Sequence, residues 1–448
     1  MKAENPAVWT PYKRYVIGVL LVVYTFNFID RQIVAILSPA IKADLDLSDT
    51  QLGFLKGFAF ALFYATLGIP IARLADKHNR VTIISVALAL WSGMTALCGA
   101  AANFVQLAAA RIGVGVGEAG CSPPIHSLIA DYFVKEQRAT ALSVYALGIP
   151  LGTVFGFLAG GWLASELGWR WAFVLVGVPG VLFAVIVKMT IREPQRGAAD
   201  GAAPAAAEAQ TPMWEAAKTL WRDPSYRTLA YGASLASFCG YAIAMWIVDF
   251  LFRTHGLSYG DVTVQLAIVM GIGGAIGTYL GGALTDRFAK TNPGSYASTP
   301  AWAIVAGLPF LTFAIWTGSP TLSFVAMFPA FLLTAMWYGP FFATVQTIAP
   351  LHLRAFASAF FLFIVNAIGF GFGPLLVGVA SDVLTPSIGE AAALQWALTG
   401  LIPIFALGAV ILLRGEKQVA ATLSAAPSLA TPPEAGDARS AAGDPKPS

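Results

Sequence analysis

Long apolar runs parted by short polar stretches recur along most of the chain. They lie near residues 15–37, 51–72, 81–101, 104–130, 139–163 and 170–191, then near 226–252, 262–285, 300–317, 321–349, 355–380 and 392–413. Each is long enough to cross about 30 Å of hydrocarbon as a helix. The pattern predicts an all-α polytopic membrane protein with twelve transmembrane helices in two sets of six. Between the sets, residues 192–224 hold the Ala/Pro/Gly string GAADGAAPAAAEAQTP and then a short amphipathic piece around Met213 to Trp221. The chain thus divides into an N-terminal segment 1–14, a bundle 15–191, a linker 192–224, a second bundle 225–414 and a tail 415–448. The tail is Ala, Pro, Ser and acidic residues, a composition that predicts disorder. Lys13 and Arg14 lead into the first run with no small-residue cleavage site, so that run reads as a retained helix.

Composition agrees with a membrane protein: 57% of residues are hydrophobic and 11% charged, against about 25% charged in soluble domains. A net charge of +3 gives no reason to expect nucleic acid as a partner. The basic residues follow the loops instead. Lys77, Arg80, Lys135, Arg138, Arg192, Arg196, Lys218, Arg222, Arg287, Lys290 and Arg354 fall on one side of the predicted topology, and Lys42, Arg170 and Arg253 on the other. Cationic loops stay cytoplasmic, so both termini are expected in the cytoplasm, and compact loops suit a bacterial inner membrane. Cys98, Cys121 and Cys239 lie within apolar runs, with no CxxC spacing and no His neighbours, so neither disulfide nor zinc site is expected. The sequence offers no Walker loop, no metal-ligand cluster and no nucleophile with a paired base. It therefore reads as no enzyme, without metal or cofactor, acting as a monomer and driven by a gradient.

Charge inside the apolar runs carries the candidate chemistry. Arg111 and Glu118, in RIGVGVGEAGCSPP, are seven residues apart, which puts them on one helix face about 10 Å apart along the axis. Asp30 and Arg31 sit late in the first run. An ionised side chain in a bilayer costs on the order of 2.5–3.5 kcal/mol on insertion scales, so four of them imply a wet cavity or mutual pairing. Pro123 and Pro124 follow Glu118 and require a kink or loosening there. Asp249, near the outer end of the seventh run, reads as a solvated rim residue. His126 and His352 lie at helix ends, and Phe26, Phe28, Tyr338 and Phe341 are aromatic candidates to wall such a cavity.

The two halves echo each other. ARLADKHNR follows the second run and GALTDRF the eighth; DYFVKEQRATALS follows the fourth and HLRAFASAF the tenth. Gly148, Gly152, Gly156 and Gly160 recur every fourth residue, as do Gly273, Gly277 and Gly281, and Gly369 with Gly373. Such faces let backbones approach; they serve either packing or sliding during a conformational change.

Twelve spans as six plus six, the long linker and the loops between spans 2 and 3 and between 8 and 9 resemble the major facilitator superfamily from about Tyr15 to Arg414. Its loop signature falls on Ala72, Asp76, Lys77, Asn79 and Arg80, with both of the usual glycines replaced. GWRWAF at Gly168 to Phe173 and LAAARIGVGVGEA are similar strings. More narrowly, NFIDRQIVAIL, LSDTQLGFL, RIGVGVGEAGCSPP and DYF…RATALS resemble the Spinster family. That resemblance implies export of lysolipids or sphingosine phosphate, coupled to or influenced by protons. It also implies that spans 1, 4, 7 and 10 line a central cavity, with functional acids at Asp30 and Glu118 and a functional base at Arg111.

Two acids and two bases sum to zero charge, the arrangement with least desolvation cost. Asp30 and Glu118 are the expected proton carriers, and Arg111, with Arg31, the anion-binding residues, since a guanidinium keeps its charge and its forked donors suit phosphate or carboxylate. Arg111 is expected either to hold an anionic head group or to pair with Asp30 or Glu118. By resemblance, Asp76 with Arg138 and Asp286 with Arg354, together with Arg80 and Arg287, form a cytoplasmic gate. The expected partners are a lipid-like or organic anion, protons and membrane lipids. Efflux of drug-like or small organic anions, and a lipid sensor without turnover, are the competing readings.

Overall fold

Caps in the polar gaps set where the helices begin. The Thr10 hydroxyl accepts from the Lys13 N–H, Asn79 accepts from Thr82, and Asn103 accepts from Gln106; Ser48 and Gln51 form a reciprocal capping box. The structure is a computed structural model that describes residues 9–197, 199, 212–350 and 353–425. The side chains of Asp76 and Lys135, and His352 altogether, lie outside the described residues.

The helices are α1 (Pro11–Leu45), α2 (49–77), α3 (Arg80–Cys98), α4 (104–132), α5 (135–167), α6 (168–190), α7 (Met213–Arg222), α8 (Pro224–His255), α9 (Tyr259–Ala289), α10 (Ser295–Trp316), α11 (Pro320–Ile348), α12 (354–388) and α13 (Glu390–Ala425). Among the described residues, nine helices are long and apolar enough to cross a membrane. One of these, Thr140–Thr190, holds both α5 and α6. Interrupted α2 and α4 complete the twelve spans, while α7 is too short to cross.

The halves match in their irregularities, not only in their helix count. Gly168, between α5 and α6, has φ 80° and ψ 164°; Gly389, between α12 and α13, has φ 81° and ψ 160°. Side chains rarely adopt that conformation, so both turns need glycine. The fourth and tenth spans both break: α4 loosens at 119–121, just after Glu118, and α11 at 335–337. The second and eighth each contain a π-helical segment, Phe54–Phe58 and Ala267–Gly273, and α12 has a third at Ala367–Phe372.

The four-residue glycine ridge of α5 serves packing within its own half. Added Cβ atoms at Gly148, Gly152, Gly156 and Gly160 would meet Tyr24, Phe28, Gln32 and Ile36 of α1. Between the halves the close approaches lie elsewhere. A Cβ at Gly53 would sit 2.5 Å from the Pro374 carbonyl oxygen, and one at Gly57 would sit 2.4 Å from that of Phe370, so α2 and α12 touch backbone to backbone. Gly161 meets Thr263, and Gly271 meets Val154, along the seam of α5 and α9.

The tail departs from the expected disorder, because α13 continues through Gly415 to Ala425. Val419 is buried, and the Ser225 hydroxyl meets the Thr422 hydroxyl at 2.8 Å. Gly415 does not end the helix; it lets α13 press on Thr228, where a Cβ would lie 2.3 Å from a methyl carbon. Residues 426–448 and 1–8 lie outside the described residues, as does most of the linker string.

Gly168→Ala is expected to lower stability by on the order of 1–3 kcal/mol through backbone strain. Gly18→Ala, where nothing lies within 4 Å of the added carbon, should change it little. Thermal unfolding of the two purified variants checks the contrast.

Candidate functional site

The break in α4 leaves Glu118 as the last residue of a helix that also carries Arg111, and both face α1. The four expected charges do come together and are almost wholly removed from solvent: Asp30 is 2% exposed, Arg31 8%, Arg111 1% and Glu118 0%. Arg31 Nε donates to Glu118 Oε2 at 3.0 Å. The pairing partner of Glu118 is therefore Arg31, not Arg111. Although Asp30 and Arg31 point about 100° apart on α1, both find charged company because α1 is buried there on several faces.

The rest of the cluster is under-bonded. Among the described residues Arg111 Nε and Nη1, Asp30 Oδ1 and Glu118 Oε1 have no hydrogen-bond partner within 3.5 Å, while Trp91 and Thr95 lie against the Asp30 carboxyl group and Asn27 against that of Glu118. Buried polar groups normally find partners. A site with donors on Arg111 and acceptors on two carboxyl groups left open has the chemistry to take an anion and protons.

Aromatic rings wall the guanidinium groups. The carbon at the centre of the Arg31 guanidinium lies 4.8 Å from the ring centre of Tyr64 and 5.1 Å from those of Phe28 and Phe60; Arg111 lies 5.7 Å from Phe60. Such contacts hold a cation in place of water. Tyr241 of α8 and Tyr338 of α11 approach from the other half, so spans 1, 4, 7 and 10 do meet here, joined by α2. Tyr338 is 40% exposed, whereas Phe341 is fully buried. Phe26 turns away from the site into an apolar groove between α1 and α5, with Leu21, Ile29 and Phe155.

A second buried cluster joins the halves on the side away from the termini. Lys56 Nζ meets Asp249 Oδ2 at 2.5 Å, both side chains being wholly buried, and Ser38 donates to the same oxygen at 2.6 Å. Asp249 is thus not a solvated rim residue: it is the counter-ion of a lysine in the interior. The lysine also lies 3.7 Å from the centre of the Trp246 ring. Next to this pair, Asp49 receives both Arg253 nitrogens at 2.7 Å, Lys42 at 2.8 Å and Ser381 at 2.6 Å. Asp382 accepts from the Asp49 and Thr50 N–H groups at 2.9 and 2.7 Å. Lys42, Asp49 and Lys56 belong to the first half, and Asp249, Arg253, Ser381 and Asp382 to the second, so the far side is shut by charge. Sequence reading passed over Lys56 because it counted lysines only in loops. A lone lysine inside an apolar run, like Arg111, was the available signal.

On the side of the termini the expected gate residues divide. Arg80 is fully buried and binds Asp131 and, at 2.9 Å, Ser127 of its own half, and Glu193 at the start of the linker at 2.6 Å. Arg138 donates to the carbonyl oxygens of Ala130 and Phe133 at the end of α4. Asp286 accepts from the Tyr296 hydroxyl at 2.8 Å instead of meeting Arg354, whose Nε has no partner among the described residues. Arg287 is exposed. Among the described residues no ion pair joins the halves on this side.

Comparison with known proteins accords with this geometry. The sequence profile described as Major Facilitator Superfamily matches residues 20–374, and the chain belongs to that superfamily of membrane transporters, within it to the Spinster family. A protein of Mycolicibacterium smegmatis named "MFS-type efflux pump" is 35% identical, over 84% of this chain and 86% of its own. Human "Protein spinster homolog 1" is 28% identical, over 88% and 78%. The crystal structure of a bacterial homologue of the human lysosomal transporter Spinster, inward-facing and unoccupied, superposes with a TM-score of 0.85 at 31% identity, over 94% of this chain and all of that one.

Asp249→Asn should destabilise the protein by about 3–5 kcal/mol, since it leaves the buried Lys56 without its counter-ion, and Lys56→Met should cost less, since Arg253 still lies 3.7 Å from Asp249. The double variant Lys56→Met/Asp249→Leu should regain most of that loss. A double variant as unstable as the summed singles, in thermal unfolding of purified protein, would contradict the pairing.

Proposed function

We propose that the chain is a proton-coupled secondary transporter that moves an amphipathic or lipid-like anion by alternating access, with Arg111 as the anion-binding residue. The observation that carries the reading is the buried, under-bonded Arg111 beside two carboxyl groups, only one of which is held by a cation. Arginine keeps its charge throughout, whereas a carboxylate can take up a proton. Protonation of Glu118 removes the charge that Arg31 pairs with, and protonation of Asp30 removes an acid from beside Arg111. Each step leaves excess positive charge in a dry site, which an entering anion neutralises.

Alternation follows from the same balance. The far-side cluster is shut while Arg31 holds Glu118, so protons that break this pair destabilise the shut state relative to one open on the far side. One helix connects the two sites: α2 carries Lys56 in the far-side latch and, one and two turns on, Phe60 and Tyr64 against Arg31. On the other side, Asp76, Asp286, Arg287 and Arg354 are the residues we assign to the gate that closes when the far side opens, with Arg80 and Arg138 bracing the helix ends that carry it. The protein works as a monomer in a bacterial inner membrane, termini in the cytoplasm. The second reading, efflux of small organic anions, is favoured by the name of the mycobacterial relative.

The test is proton movement in proteoliposomes holding a pH-sensitive dye. Lysophospholipids, sphingosine phosphate and soluble organic anions are supplied in turn under a proton gradient. The wild type should show flux with a lipid-like anion. Asp30→Asn should abolish the proton movement, and Arg111→Gln should abolish the response to the anion. Flux with soluble anions only would favour the second reading, and anion flux undiminished in Arg111→Gln would remove the proposed role of Arg111.

A further inference from the structure

The amphipathic helix of the linker takes no part in the transport site, yet its two faces are sharply different. One face of α7 buries Ala216 and Leu220 and sets Trp221 edge-on to Tyr231 of α8, ring centres 5.6 Å apart, and to Phe360 of α12, 6.4 Å apart. The other face carries Trp214, 77% exposed, with Lys218 and Arg222 following at four-residue steps. Four-residue steps put these three on a single stripe. Glu215 and Thr219 are also exposed beside it.

Two features identify what this stripe meets. The first is level. Arg222 is one residue from Asp223, which caps α8 by accepting from the Ser225 N–H at 2.7 Å, so α7 lies at the end of a membrane span, where head groups are. A bare tryptophan is out of place in water and suited to that layer. The second is charge. Neither Lys218 nor Arg222 has an ion-pair partner among the described residues, and Asp223 is engaged as a cap, so on the exposed side of α7 two cations stand beside one acid, Glu215. An amphipathic helix with an aromatic residue and free cations on its outer stripe binds anionic lipid.

We propose that α7 is an interfacial anchor whose Trp214–Lys218–Arg222 stripe binds anionic phospholipid head groups on the side of the termini. Through Trp221 on Phe360 it ties the lipid surface to α12, which lines the seam with α2. The occupant is the bilayer itself, not a soluble phosphate or a protein.

The test places an environment-sensitive fluorophore on Thr219→Cys in the full-length protein, in nanodiscs of phosphatidylcholine with or without phosphatidylglycerol. The native cysteines are buried and do not compete for label. With phosphatidylglycerol, the probe should shift to the blue, be quenched by nitroxide-bearing lipid and be shielded from iodide. Lys218→Gln and Arg222→Gln should each weaken that response by roughly five-fold, and Trp214→Ala should reduce quenching by lipid. Equal access to iodide in both lipids overturns the proposal. So does a response to phosphatidylglycerol that survives Lys218→Gln/Arg222→Gln, or quenching that ignores lipid charge altogether.

Discussion

Charge removed from water must be answered within the protein, and this constraint shapes both halves of the molecule. An unpaired ion in a low-dielectric interior costs several kcal/mol, so every buried charge here is placed where a neighbour can offset it. The two buried clusters meet the constraint differently. On the far side, Asp49 has both oxygens engaged, and Lys56 has a carboxylate, a hydroxyl-bearing neighbour and a tryptophan ring around it. In the centre, charges cancel in sum but bonds do not close: Arg31 and Glu118 pair, while Arg111 and Asp30 keep open hydrogen-bonding atoms. The far-side cluster also leaves one atom open, Asp249 Oδ1, but Asp49 and Asp249 each meet a cation directly, whereas Asp30 in the centre has no ion pair among the described residues.

The backbone supplies the means to move between states. Interrupted helices and π segments fall at the fourth, tenth, second, eighth and eleventh spans, and π segments often mark functional sites. Lys56 lies inside one of them, and Gly53 and Gly57 bring the same stretch against the backbone of α12. The inter-half contact thus combines small residues and a few ion pairs with aromatic contacts, Phe58 on Phe372 and Phe60 on Phe370. Small residues allow close approach without committing much side-chain packing, which suits a contact that has to part.

Much of this was legible in the sequence, and the parts that were not share a cause. Apolar runs gave the spans, and a lone Arg and Glu in a glycine-rich helix pointed to the central site. The motif resemblance named the family that the sequence profile and the solved relative then showed. Partners were harder, because pairing depends on which faces of separate helices meet. Arg31 reads as an anion-binding residue beside Arg111, yet it holds Glu118. Asp249 looked exposed because it is near a span end, and Lys56 was hidden in an apolar run; each makes sense only when α2 and α8 are side by side. Gly415 opens the tail that composition predicts to be disordered, while in the structure it allows a close approach of α13 to Thr228.

The central claim is that protonation of the buried carboxyl groups decides which side is open. The most direct measurement is the distance between spin labels at Ala102→Cys and Gly318→Cys, exposed positions in far-side loops of opposite halves, taken by double electron–electron resonance in nanodiscs across a range of pH. The account predicts that acid lengthens this distance in the wild type, and that Asp30→Asn/Glu118→Gln removes the pH dependence while leaving the lengthened population in place. A distance that ignores pH in the wild type, or a response that persists in the double variant, would contradict it.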